Sequence, residues 1–189
     1  MKLRLKNESL FDQSADAIIL SIDGVSKGMG GKVARMFEKL YPLTWQYIES
    51  QVNYPLSPGI SVAVLTPVGN PFKYIFLATT LLHLPVVTTS LMKSVALKAY
   101  SMTLTTACSI GLKTLRYGLP TGGLRVDPLN AFIVLTEVLD KTMDSTKGME
   151  LQLCIPDKDI FDSILKFATN TGFDPKLCLV YKLCYFTFS

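Results

Sequence analysis

The chain has 189 residues, of which 49% are hydrophobic and 18% are charged, and 19 basic against 15 acidic residues give it a net charge of +4. This composition excludes a disordered chain, and the charge is too small for a dedicated nucleic-acid-binding protein. No run of about 18 uncharged apolar residues is present, and the N-terminus lacks the apolar core of a signal peptide. We therefore expect one soluble, cytoplasmic domain over 1–189 that does not contact a membrane.

Strand-like and helix-like segments alternate along most of the chain. In chain order the predicted elements are strands 2–6 and 15–22, helix 31–40, a short helix from Pro42, strands 60–66 and 73–79, a helix from Thr89 or Ser90 to 110, a short strand within 112–120, a helix from Pro128, strand 149–155, a helix capped by Asp157 and strand 177–188. Strands 60–66 and 73–79 are separated only by a turn and predict a hairpin. The pattern therefore indicates the α/β class, with a mixed central sheet between two helical layers.

The cysteines do not have the spacing of a metal site. Cys108, Cys154, Cys178 and Cys184 form no CxxC pair, and His83 is the single histidine. We expect the cysteines to be reduced, buried thiols. Nothing in the sequence requires a metal or another cofactor.

Two glycine-rich segments each follow a predicted strand and precede a predicted helix. The first lies within 24–31, after the apolar strand 15–22, and the second is 118–128. Glycines at the start of a helix let backbone N–H groups point at an anion, which the helix dipole also favours. The first segment is neither a P-loop nor a dinucleotide fingerprint, because Ser26 and Val33 occupy positions where those motifs need other residues. Together the two segments predict a diphosphate clamp.

These segments give the sequence a resemblance to the macrodomain family, the ADP-ribose-binding module, over roughly 1–167. The stretch "ADAIILSID" resembles the family strand DAIVNAAN, and "GMGGKVARMFEKLYP" resembles its first phosphate loop and helix. The latter is similar to MGKGIALQFKKAFP of the antitoxin-type macrodomains, which reverse DNA ADP-ribosylation. "SPGISVAVLT" and "LRYGLPTGGLRVDP" resemble two later motifs in the same order. The resemblance implies a macrodomain-like, three-layer α/β/α fold.

The resemblance also implies the ligand contacts. Glu8 or Asp16 matches the acidic residue that holds the adenine amino group. The diphosphate contacts are expected from the first loop at Gly30, Gly31, Lys32 and Val33, and from the second loop at Thr121, Gly122, Gly123 and Leu124, with Arg125 as an additional cation.

Several positions depart from the family pattern. Leu20 and Asp23 stand where the family strand has two asparagines, and Leu81 stands where the antitoxin type has a lysine. Asp23 and Asp127 are the acid–base candidates if the protein removes ADP-ribose from a modified protein or nucleic acid. His83 is a further titratable group close to the expected distal ribose.

The features that match the family motifs are those for binding. We therefore expect a protein that binds ADP-ribose or a related nucleotide diphosphate, and hydrolase activity is the second possibility. Two alternatives stay open. One is a macrodomain-like module whose pocket has changed to bind RNA or another nucleotide. The other is a protein-interaction domain without catalysis, in which the aromatic C-terminus pairs with a partner as an edge strand.

Overall fold

The fold was analysed in a computed structural model that describes residues 1–82, 88–119, 127–142 and 144–171. Its strands are β1 (Lys2–Lys6), β2 (Ala15–Ile22), β3 (Ser61–Leu65), β4 (Phe72–Thr79), β5 (Thr114–Gly118) and β6 (Glu150–Cys154). Its α-helices are α1 (Lys32–Leu40), α2 (Pro42–Ser50), α3 (Thr89–Ser109), α4 (Pro128–Thr142) and α5 (Lys158–Asn170), and a 3₁₀ turn spans Asp144–Thr146. The predicted strand 177–188 lies outside the described residues.

The strands form one six-stranded sheet in the order β1-β6-β5-β2-β4-β3. All neighbouring pairs are parallel except the β3–β4 pair, which is the antiparallel hairpin predicted from the sequence. The sheet is therefore mixed, and the prediction of an α/β fold is confirmed.

Helices cover both faces of the sheet. One apolar core lies between the sheet and α3, α4 and α5, and a second lies between the sheet and α1 and α2. Strand β2 is in the middle of the sheet and alternates its side chains between the two cores, since Ile19 belongs to the first core while Ile18 and Leu20 belong to the second. This double burial explains why its sequence is a continuous apolar run.

Local sequence signals fix the helix ends. Pro42 occupies the first turn of α2, where its missing N–H costs nothing. The Thr88 side chain caps α3, one residue before the predicted cap, and Asp157 caps α5 by accepting from the N–H groups of Asp159 and Ile160. None of the helices in the described part of the chain is long and apolar enough to cross a membrane.

Candidate functional site

Five strand ends meet at one edge of the sheet. Because β1, β6, β5, β2 and β4 are mutually parallel, their carboxyl ends all point the same way. Ligands of open α/β sheets bind outside these carboxyl ends. We call this side of the molecule the carboxyl edge, and the opposite side the amino edge.

The two glycine-rich segments leave the carboxyl edge from adjacent strands. β2 and β5 are neighbours, with Ile19 paired to Tyr117. A Cβ atom added to Gly118, the last residue of β5, would lie 3.9 Å from Cγ2 of Val33 in the first turn of α1. The start of α1 therefore lies beside the root of the second segment.

The first loop is closed by its own backbone. The N–H of Asp23 donates to the carbonyl of Met29 over 3.0 Å, and the N–H of Gly31 donates to the carbonyl of Ser21 over 3.0 Å. The N–H of Gly28 donates to the Glu49 carboxylate on α2, which holds the exposed tip of the loop. These three hydrogen bonds fix the conformation of the loop.

Only glycine fits at two positions of this loop. Gly24 has φ +77°, and its Cβ would be 2.6 Å from Cγ2 of Thr79 and 2.7 Å from the carbonyl oxygen of Leu56. A Cβ on Gly30 would be 2.6 Å from Cβ of Ala34. These close approaches allow the loop to pack against the end of β4 and against α1.

Helix α1 begins at Lys32 without a side-chain cap, because its N-cap residue is Gly31. The N–H groups of a first helical turn have no intrahelical acceptor. Gly31 uses its own N–H inside the loop, whereas Lys32 and Val33 contribute N–H groups of the first turn of α1 that can donate to an anion. The exposed Lys32 side chain adds a positive charge at the same place.

Asp23 is buried at the base of the first loop, with only 3% of its surface exposed. Its Oδ1 accepts from the N–H of Val25 over 2.9 Å and so shapes the turn. Asp127 has a comparable local role, because its Oδ1 accepts from the N–H of Leu129 over 3.0 Å at the start of α4. Both acid–base candidates therefore follow strands that end at the carboxyl edge, and both hold a backbone N–H.

Glu8 follows β1 at the same edge and forms an ion pair with Arg116 of β5. The distance from Glu8 Oε1 to Arg116 Nη2 is 2.8 Å, and the arginine side chain is completely buried. Glu8 Oε2 accepts a longer hydrogen bond of 3.3 Å from Gln13 and is the less engaged of the two carboxylate oxygens.

The Arg116 guanidinium organises the loop after β1. It donates to the carbonyls of Leu10 and Ser9 over 2.9 Å and 2.8 Å, and to Gln152 of β6 over 3.0 Å. This network was not expected from the sequence. Its only signal there is one charged residue inside the apolar strand "TLRYG", which is not enough to separate a buried arginine from an exposed one.

Asp16 is not brought together with the other predicted site residues. It lies at the start of β2 on the amino edge, where its Oδ2 accepts from the N–H groups of Lys113 and Thr114 over 2.8 Å and 2.9 Å. Burial acts to raise the pKa of Asp16, but these hydrogen bonds and one from the Thr114 hydroxyl outweigh it and lower the pKa below its usual value. A surface depression of about 620 Å³ at this edge includes Asp16 and Lys73, and it is on the opposite side from the glycine-rich loops.

The other predicted residues fall into two groups. Gly30, Gly31, Lys32 and Val33 lie together at the carboxyl edge, as described above. The second-loop residues Thr121, Gly122, Gly123, Leu124 and Arg125, together with His83, lie outside the described residues.

Sequence comparisons did not identify a relative: no family model matches the chain, and no curated protein is significantly similar to it. The fold is similar to solved macrodomains. The Oceanobacillus iheyensis macrodomain with MES bound aligns with 89% of this chain and 91% of its own, at 12% identity and a TM-score of 0.70. The Trypanosoma brucei macrodomain in complex with ADP-ribose aligns with 88% of this chain and 69% of its own, at 17% identity and a TM-score of 0.69.

Further solved structures share the fold. The macrodomain of Thermus aquaticus DarG aligns with 82% of this chain and 98% of its own, at 17% identity and a TM-score of 0.60. The chain also aligns over 90% of its length with an alphavirus P23pro-zbd structure, of which it spans 24%. The mixed sheet, its strand order and these similarities together identify the chain as having the fold of a divergent macrodomain.

Proposed function

We propose that this protein binds ADP-ribose, or a related nucleotide diphosphate, at the carboxyl edge between the loop after β2 and the loop after β5. The observation that carries the proposal is the adjacency of β2 and β5, which brings the start of α1 next to Gly118. The ADP-ribose complex of a trypanosomal macrodomain with the same fold supports it.

The first loop has the chemistry that a pyrophosphate needs. The first-turn N–H groups of Lys32 and Val33 and the positive end of the α1 dipole favour an anion, and the Lys32 ammonium adds to them. In the second loop, we assign the Thr121 hydroxyl and the backbone N–H groups of 122–124 to the same pyrophosphate. We assign Arg125 to a phosphate oxygen through a bidentate contact.

We assign the base end of the ligand to Glu8 rather than Asp16. Glu8 lies at the carboxyl edge, and among the described residues its Oε2 accepts only the long hydrogen bond from Gln13. An adenine amino group can donate to that oxygen. Asp16 uses its carboxylate on the backbone of β5 at the other edge.

Binding is favoured over hydrolysis by the surroundings of the two acid–base candidates. Asp23 and Asp127 each accept from a backbone N–H at a turn or a helix start, which gives both residues a structural role. Removal of ADP-ribose from a modified protein or nucleic acid is therefore an outcome to be tested. The assay is to incubate the protein with ADP-ribosylated protein and with ADP-ribosylated DNA and to measure free ADP-ribose.

The binding proposal is tested by calorimetric titration with ADP-ribose, AMP, NAD and a short RNA. We expect ADP-ribose to bind with a dissociation constant in the micromolar range. Gly122→Glu places a carboxylate in the second loop and should abolish this binding. Val68→Glu adds the same charge at a fully exposed position on the amino edge and should leave it intact.

A second pair of variants tests the first loop alone. Lys32→Glu should weaken ADP-ribose binding by about tenfold, because it reverses a charge beside the expected phosphates. Lys39 lies near the other end of α1 and is exposed like Lys32. Lys39→Glu reverses the same charge there and should alter the affinity less than about twofold. If none of the four ligands binds wild-type protein, the nucleotide proposal is wrong and the interaction-domain alternative is favoured.

A further inference from the structure

The outer side of β1 is an open edge among the described strands. β1 is the last strand of the described sheet and pairs there only with β6. The N–H of Lys2 donates to the carbonyl of Met149 over 2.8 Å, so the backbone of Lys2 faces β6. Because the backbone groups of successive residues in a strand point in opposite directions, those of Leu3 and Leu5 face away from β6.

The outward groups of Leu3 are shielded from water. Leu3 is only 1% exposed, backbone included, although it belongs to the outermost described strand on this side. Buried backbone N–H and C=O groups are almost always paired, since each otherwise loses its hydrogen bond to water. β6 cannot supply the partner, because it lies on the other side of β1. The outer side of β1 therefore needs another hydrogen-bonding partner.

The path of the chain leads its last segment toward this edge. Two earlier crossovers, β4–α3–β5 and β5–α4–β6, both move through the sheet toward β1, and their helices lie on the same face. α5 follows β6 on that face and packs against β1 and α4. Crossovers between parallel strands are almost always right-handed, so a parallel strand after α5 has to continue in the same direction. The next position in that direction is the outer side of β1.

The lengths of α5 and of the linker after it fit this position. α5 has 13 residues and is therefore about 20 Å long, whereas the five residues of β6 span about 17 Å. α5 is long enough to return the chain from the carboxyl edge to the amino edge, where a strand parallel to β1 has to begin. Residues 171–176, between α5 and the predicted strand, are a connection of ordinary length.

The composition of 177–188 suits a strand beside β1. All of its residues except Lys182 and Thr187 are apolar, and four of them are aromatic. Such a run is typical of a strand within a sheet. Leu3 and Leu5 contribute to the first apolar core, so a strand next to β1 would extend that core.

We propose that 177–188 joins the sheet as a seventh strand, parallel to β1 of the same chain. This inference goes beyond the proposed function and does not depend on it, because β6 and β5 separate β1 from the site strand β2. The added strand pairs the outward groups of Leu3 and Leu5. It also covers an edge that would otherwise be a template for pairing with a second chain.

Hydrogen exchange of backbone amides in the full-length protein, followed by NMR, tests the pairing. The amides of Leu3 and Leu5 should exchange at least about 100-fold more slowly than the amide of Ala63. Ala63 is the matched control on the opposite edge of the described sheet. The N–H of Thr66 donates to the carbonyl of Lys73, so the backbone of Ala63 faces away from β4. Exchange of Leu3 and Leu5 as fast as that of Ala63 would overturn the proposal.

Proline variants identify the segment that protects β1. Leu179→Pro and Val180→Pro each remove one backbone N–H, and since neighbouring residues of a strand face opposite sides, one of the two removes a bond to β1. That variant should speed the exchange of Leu3 and Leu5 at least about tenfold, while the amides of β2 stay protected. Ser189→Pro, beyond the segment, should change neither. If neither variant within the segment speeds the exchange, 177–188 is not the partner of β1 and the proposal is wrong.

The oligomeric state shows which chain supplies the strand. Light scattering at the concentration used for NMR should give the mass of a monomer, and nuclear Overhauser contacts should connect Leu3 or Leu5 with 177–188. A dimer whose dissociation abolishes the protection would overturn the proposal, because a second copy would then supply the strand. Protection that appears only after another protein is added would overturn it for the same reason.

Discussion

The buried ion pair between Glu8 and Arg116 gives a quantitative prediction about stability. Replacing Arg116 with methionine keeps an unbranched apolar chain in place of the aliphatic part of the arginine but removes every donor of the guanidinium. Oε1 of Glu8 and the carbonyls of Ser9 and Leu10 would then lose hydrogen bonds of 2.8–2.9 Å. The loop after β1 would lose its main attachment to β5.

The magnitude follows from the burial of the pair. Removing one partner of a buried ion pair typically costs about 3–5 kcal/mol. The Glu8 side chain is 20% exposed and regains some hydration, so we expect about 3 kcal/mol, at the lower end of that range. A domain of ordinary stability, about 5–15 kcal/mol, would still fold.

An exposed ion pair of the same length provides the control. Arg4 Nε and Glu150 Oε2 are also 2.8 Å apart, but the arginine side chain is 45% exposed. Arg4→Met should therefore cost less than about 1 kcal/mol. The interatomic distance is the same in both pairs, so the comparison measures what burial and the additional bonds of the Arg116 guanidinium contribute beyond an exposed ion pair.

The assay is urea unfolding followed by fluorescence of the single tryptophan, with Glu8→Gln completing a double-mutant cycle. We expect the double variant to be more stable than the sum of the two single losses predicts, by at least about 1 kcal/mol. If Arg116→Met costs no more than Arg4→Met, the guanidinium is not buried as described. The account of the loop after β1 would then be wrong.

Three further predictions concern other parts of the fold. Gly24→Ala should destabilise the protein by clearly more than the roughly 1 kcal/mol expected for Gly28→Ala, because both glycines have positive φ but only Gly24 has atoms within 3 Å of the added Cβ; equal unfolding midpoints would refute this. Asp16→Ala should lower the free energy of unfolding by about 2 kcal/mol at pH 7. The pKa of Asp16 is lower in the folded state than in the unfolded state. The stabilisation by Asp16 is therefore fully present above the pKa of the unfolded state and is lost as the pH falls through the pKa of the folded state. The loss relative to wild type should therefore shrink in acid-side unfolding curves, whereas Asp162→Ala, at an exposed surface pair, should cost little at any pH. Burial raises the pKa of the Cys154 thiol to about 11. In a variant whose other three cysteines are replaced by alanine, Cys154 should therefore resist alkylation at pH 8. Alkylation of the native protein as fast as in urea would contradict the burial of Cys154.

The class of the fold could be predicted from the sequence because its signals are local. The continuous apolar run of β2 follows from its burial on both faces of the sheet. The helical spacing of apolar residues after Gly31 follows from the burial of one face of α1. The hairpin of β3 and β4 is equally local, since a short turn joins the two strands.

The pairing of β2 with β5 is not visible in the sequence, because about ninety residues separate the strands and no local signal specifies their register. The partners of the charged side chains could not be predicted either, because those partners are also far away in the sequence. Glu8 and Asp16 are both candidates for the acidic residue of the family pattern, yet Glu8 meets Arg116 at the carboxyl edge and Asp16 holds the backbone of β5 at the amino edge. The contacts assigned to 121–125 stay predictions.

Backbone amide NMR during an ADP-ribose titration shows whether a nucleotide diphosphate binds at the carboxyl edge beside the start of α1. We expect saturable shifts at Lys32, Val33 and Gly118. The amides of Asp16 and Lys73, on the opposite edge, should not shift. Shifts confined to the amino edge, or no shifts at millimolar ADP-ribose, would contradict binding at the carboxyl edge.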